Sequence, residues 1–247
     1  MPDQTRKIDL GDHSIRFHSE GETGPTLLFA HGFADSSAVW KPVSDRFASH
    51  IRLRPEMRGH EFSTGPDGPY AWDDLGADIL AVLDEVGSAR ASLIGHGLGG
   101  IACLLAALQA PERIDRIILL GTATEADAAQ QNWCREIIKA GRMNALQGIA
   151  HAIFGPISRK PVDGTAGPML ELARCMESLA DTPITSRMAN IQTPTLVLKG
   201  EQDPAHSESL AEALPHGRIE ILPGLSHFAH KNDPETVGRA IENFLSD

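Results

Sequence analysis

Short apolar runs alternate along the chain with stretches whose apolar residues recur every three to four positions. Thr26-Leu27-Leu28-Phe29 is such a run, followed by His31-Gly32 and by a helix-like stretch from Ala38 to Phe47. Ile51 to Arg54 predicts another strand, stopped by Pro55. Leu75, Ile79, Val82, Leu83 and Val86 then fall on one face of a helix. Ala91 to Ile94 reads as the next strand, and Ile101, Leu104, Leu105 and Leu108 mark the helix after it. Ile114 to Leu120, Thr195 to Lys199 and Arg218 to Leu222 are further strand candidates, and a last helix carries Val237, Ile241 and Phe244. Strands that alternate with helices predict an α/β fold, a mostly parallel sheet covered on both faces. Ile8, Leu10, Ile15 and Phe17 alternate with polar residues, which predicts an antiparallel hairpin at the sheet edge.

One segment breaks this rhythm. Residues 122–190 have helical composition and no convincing strand, and Gly155 to Pro168 is rich in Gly and Pro. An insertion of that length inside a domain is usually functional, so it is expected to form a helical cap over the carboxyl ends of the strands. Residues 1–121 and 191–247 are then the core.

Composition narrows the partners. The 247 residues carry 22 Lys+Arg against 33 Asp+Glu, a net charge of −11. A field of that sign disfavours nucleic acid and anionic membranes, leaving a small-molecule substrate as the expected partner. Cys103, Cys134 and Cys175 form no closed disulfide framework and have no metal-type spacing. With no secretory signal or membrane-length apolar run visible, the expected location is the cytoplasm.

The most informative string is Ala91-Ser92-Leu93-Ile94-Gly95-His96-Gly97-Leu98-Gly99-Gly100, a strand turning sharply into a helix. Gly95, Gly97 and Gly100 satisfy the dinucleotide fingerprint G-x-G-x-x-G. Against that reading, some 90 residues precede the motif, and Ile117 to Leu120 runs into Gly121-Thr122 where an acid is expected. The other reading is the nucleophile elbow G-x-S-x-G with Gly97 in the place of serine. Further pieces favour it. His31-Gly32-Phe33 follows a strand, so that the N–H of Phe33 can join that of Leu98 as an oxyanion hole. Asp203 and His227 each follow a later strand, giving the order elbow, acid, histidine. Glu201 is the local rival for the acid, and His227-x-x-His230 alone is weak support for a metal.

Together with the Pro55-Glu56-Met57-Arg58-Gly59-His60 turn, these motifs make the chain resemble the α/β-hydrolase superfamily over nearly its whole length. It looks most like the capped small-molecule members: esterases, lactonases and carbon–carbon bond hydrolases. The family elbow commonly reads Gly-His-Ser-Leu-Gly-Gly, which sets the nucleophile at Gly97. The resemblance also implies an Asp and a final Gly in the turn after Pro55, where this chain has Glu56 and Glu61. It implies no cofactor and no metal.

Gly97 carries no side chain, so an acyl-enzyme cannot form there. Ser92 lies within the strand, and Cys103 reads as a small core residue. Three readings stay open. The chain is a hydrolase whose serine was replaced; or His227, oriented by Asp203, is a general base that activates water or deprotonates substrate for lyase or cofactor-free oxygenase chemistry; or the fold is a non-catalytic receptor. Trp133, Phe154 and Phe228 are the candidate substrate contacts, and Met143 and Met169 are further cap residues that either line the pocket or pack its helices. His31, His96, Glu56 and Arg58 are expected to hold loops.

Overall fold

A computed structural model of the protein describes residues 3–66, 70–142, 166–178 and 183–247. Eight strands form one sheet: β1 (Gln4–Asp9), β2 (Ser14–Glu20), β3 (Thr26–Ala30), β4 (Ile51–Pro55), β5 (Ala91–His96), β6 (Ile114–Leu120), β7 (Thr195–Gly200) and β8 (Gly217–Leu222). Their order is β1-β2-β4-β3-β5-β6-β7-β8. β1 pairs antiparallel with β2, and β2 antiparallel with β4. All other pairs are parallel. The expected edge hairpin and parallel sheet are both present.

The helices are α1 (Lys41–Ser44), α2 (Trp72–Glu85), α3 (Leu98–Gln109), α4 (Ala128–Arg142), α5 (Ala166–Glu177), α6 (Ser207–Ala213), α7 (Ala229–Asn232) and α8 (Pro234–Ser246). Because successive strand residues point to opposite faces, each central strand feeds two cores. Leu28, Leu93, Ile117 and Val197 pack with Leu75, Ile79 and Leu83 of α2 and Leu104 and Leu105 of α3. Leu27, Phe29, Ile94, Ile118 and Leu198 pack on the other side with Trp40, Val43, Phe47 and, from α8, Val237, Ile241 and Phe244. α8 starts where its sequence says it should. Pro234 sits in its first turn, and the Asp233 carboxylate accepts from Thr236 N at 3.0 Å.

Two details depart from the sequence reading. The stretch from Ser37 to Phe47 is a 3-10 turn, the one-turn helix α1 and a second 3-10 turn, not one helix. Pro42 falls at the start of α1, where it can begin a helix but cannot continue one. α6 has no counterpart among the expected elements, since its seven residues show too little apolar repeat. Among the described residues of the insertion there is no strand, and α4 packs against α5. Among the described residues no helix is long and apolar enough to cross a membrane.

Candidate active site

Parallel register brings the carboxyl ends of β3, β5, β6, β7 and β8 to one rim. Ala30 is level with Gly95, Leu120 with Leu198, and Gly200 with Leu222. Ligands of open parallel sheets bind at this rim.

At the end of β5 the chain turns through Gly97, with φ 51° and ψ −114°, directly into α3. That backbone is strained for any residue with a Cβ. Gly97 N donates to Leu120 O at 3.0 Å, tying the turn to β6. A Cβ on Gly95 would clash with Gly100 N at 2.5 Å, so the turn can be this tight only with small residues. A Cβ on Gly97 itself would meet nothing nearer than Gly121 O, 3.9 Å away. The space above Gly97 is open.

The loops after β7 and β8 are laced together. Glu201 N donates to Leu222 O at 3.0 Å and Gln202 N to Leu225 O at 2.9 Å. The Glu201 carboxylate accepts from Gly224 N at 2.8 Å, at the surface, and so serves the loop. Asp203 is buried, and its Oδ1 lies 3.0 Å from His227 Nδ1 while also accepting from Ala205 N at 2.9 Å. His227 is half-buried and faces the open space. Asp203, and not Glu201, is therefore the carboxylate paired with the histidine.

Gly121, directly after β6, is the wall behind this pair. A Cβ there would stand 2.9 Å from His227 Nδ1 and 3.0 Å from Asp203 Oδ2. Its φ of 54° is itself a glycine conformation.

Phe33 and Leu98 flank the same space. Leu98 opens α3, so its N–H belongs to the first turn, which has no carbonyl of its own helix to bond. The loop carrying Phe33 is held from below by two histidines. Ala34 N donates to His60 Nε2 at 2.8 Å, and His60 Nδ1 donates to Arg58 O at 3.0 Å. His31 Nδ1 lies 2.8 Å from Gly32 O, and its Nε2 lies 3.0 Å from Met57 N and 3.2 Å from Glu56 Oε2. Burial holds His60 down at about 3, so it stays a neutral acceptor. Burial works against ionising Glu56, yet His31 and Ser37 overcome it and hold the carboxyl at about 2. Arg58 forks onto Asp78 at 2.7 and 2.8 Å. Glu56 and Arg58 thus tie the loop after β4, as expected.

Below the turn, burial keeps His96 well under the ordinary histidine range. His96 Nε2 donates to His227 O at 3.1 Å, which supports the histidine loop. Asp35, His96 and His230 place ligand-type atoms within 4.8 Å of one another, and Lys231 Nζ already lies 2.5 Å from Asp35 Oδ2. These are the described residues with the donor chemistry for a metal, and an ammonium holds the carboxylate.

The space over Gly97 opens into a cavity of about 450 Å³ lined also by Trp133, Cys134, Met176 and Phe228. Trp133 meets Phe33 edge-on with ring centroids 5.7 Å apart, so α4 closes against the loop after β3. Phe154 and Met143 lie outside the described residues. Burial pushes the Cys134 and Cys175 thiols up to about 12 and Cys103 higher still, so these thiols are inert.

The Alpha/beta hydrolase family model matches residues 27–240. The chain is 28% identical to 3-oxoadipate enol-lactonase 2 of Acinetobacter baylyi, over 94% of this chain and 92% of that one. It is 26% identical to 2-(acetamidomethylene)succinate hydrolase of Mesorhizobium japonicum, over 98% and 95%. Its fold is that of the enol-lactonase from Burkholderia xenovorans, with a TM-score of 0.87, 21% identity, and coverage of 98% and 100%. The chain belongs to the alpha/beta hydrolase family.

Proposed function

We propose that the protein hydrolyses the carbonyl of a small organic ester, lactone or related carbon–carbon substrate, at a site whose nucleophile position, residue 97, carries no side chain. The observation that carries this reading is the His227–Asp203 pair at 3.0 Å facing the open space above Gly97. Asp203 fixes Nδ1 as the protonated nitrogen, leaving the Nε2 lone pair for the cavity. Water above Gly97 loses a proton to Nε2 as its oxygen bonds the carbonyl carbon. The N–H groups of Phe33 and Leu98 receive the developing oxyanion. When the intermediate collapses, the carbonyl–leaving-group bond breaks and His227 returns its proton to the leaving group.

The lactonase and hydrolase names of the relatives support an ester or lactone as substrate. Residues 122–190 act as the cap, with Trp133 and Met176 contributing the wall opposite the turn. Cys103, Cys134 and Cys175 as free buried thiols suit a reduced cytoplasm. His227→Gln, assayed over short-chain esters and lactones, is expected to lower turnover by about 10²-fold or more. Unchanged turnover in that variant would remove His227 from the reaction and refute the reading.

A further inference from the structure

We infer that the cavity is shaped for an uncharged acyl group and that Glu125 and Asp127 at its rim turn anionic substrates away. This deepens the hydrolase reading above and rests on it.

The walls facing the turn are apolar: Phe33, Ile101, Trp133 and Met176 all line the cavity. A carboxylate carried on the substrate would shed its water against these side chains and gain no compensating partner there. Among the described residues, the charges that face the cavity have the same sign. Asp203 stands beside the turn, and Glu125 and Asp127 lie on the segment that leads from β6 into α4. Asp127 is fixed, because its Oδ1 accepts from Gln130 N at 2.8 Å while Gln130 Oε1 accepts from Asp127 N at 3.0 Å. Those bonds, together with His206 at 3.0 Å from Oδ2, hold its carboxyl below the usual range, so it is ionised at neutral pH. Glu125 is exposed and free of that capping duty, so its charge is the one that can be altered without disturbing α4. Among the described residues no Lys or Arg side chain lines the cavity.

The probes are a matched pair: 4-nitrophenyl 6-methylheptanoate and the monoanion of 4-nitrophenyl hydrogen adipate, which has a carboxylate in place of the terminal isopropyl group. Binding of the two corresponding methyl ketones, measured by calorimetry, provides a readout that needs no turnover. The neutral ester and ketone are expected to be favoured by about 10-fold or more, as follows for like charges a few ångströms apart near a protein surface. Glu125→Lys is expected to narrow the ratio several-fold, and raised salt to narrow it in the unaltered protein. Equal or better use of the adipate ester, or equal binding of the two ketones, overturns the inference and leaves the hydrolase reading in place. Turnover of neither ester, with the ketone preference intact, overturns the hydrolase reading and leaves the cavity preference standing.

Discussion

Gly121 presses against His227: a Cβ at residue 121 would lie 2.9 Å from the imidazole Nδ1, on the atom that binds Asp203. The histidine–carboxylate pair is therefore set by a wall with no side chain as well as by its own hydrogen bond. Gly121→Ala is expected to push the pair apart and lower turnover by about 10-fold or more. Gly87→Ala is the control, because Gly87 has a similar φ of 66° and a Cβ there would meet nothing within 4 Å. Equal turnover in the two variants would show that Gly121 does not position His227.

Acid should unfold the protein through its buried neutral histidines. Burial holds His60 and His230 at about 3, whereas in the unfolded chain each titrates near 6.5. Below pH 6.5 the unfolded chain binds protons that the folded chain refuses. Stability is thus complete above about pH 6.5 and falls as the pH drops from there toward 3, by up to about 1.4 kcal/mol per pH unit for each histidine. Among the described residues His230 has no hydrogen-bond partner for either ring nitrogen, and it stacks on Trp40 at 4.7 Å. His230→Phe should lose less stability between pH 7.5 and pH 5, read as urea midpoints. Parallel losses in both proteins would contradict this account.

Glu61 occupies a position where the family turn ends in glycine, and its φ of 47° explains the preference. A side chain there is held in the left-handed region at a cost of about 1 kcal/mol. Glu61→Gly is expected to raise stability by roughly 0.5–1 kcal/mol in chemical denaturation, the extra freedom of glycine in the unfolded chain offsetting part of the gain. A destabilised variant would mean that Glu61 makes contacts worth more than its strain.

Serine at residue 97 should cost stability. At φ 51° and ψ −114° an L-residue is strained by about 1–3 kcal/mol, so Gly97→Ser is expected to lower Tm by a few degrees. An unchanged or higher Tm would show that the turn does not hold this backbone in solution.

Much of this site was legible in the sequence because its parts sit at strand ends, which apolar runs mark well. Gly97, Asp203 and His227 each follow such a run, and the parallel register gathers them. Choosing Asp203 over Glu201 needed the loop bonds, since both follow β7 and only the turn decides which one faces inward. Gly121 and His60 act by packing and hydrogen bonding across the fold, and neither spacing nor composition signals that. The run from Ala38 to Phe47 misled because its apolar spacing is helical while Pro42 interrupts the hydrogen-bond ladder. The cluster of His96, His227 and His230, with tilted rings whose centroids lie 4.6 and 4.4 Å from that of His96, likewise appears only once the loops are folded.

The central claim is that residue 97 is a nucleophile position left vacant within an otherwise assembled site. It is tested most directly by comparing kcat/KM of the unaltered protein and Gly97→Ser over short-chain esters and lactones, with intact-mass detection of an acylated protein. Because loss of the nucleophile in serine hydrolases costs on the order of 10⁶-fold in turnover, the account predicts a gain of about 10³-fold or more in the serine variant. It also predicts an acyl adduct on Gly97→Ser and none on the unaltered chain. A serine variant that folds, forms no adduct and is no faster than the glycine protein would contradict it.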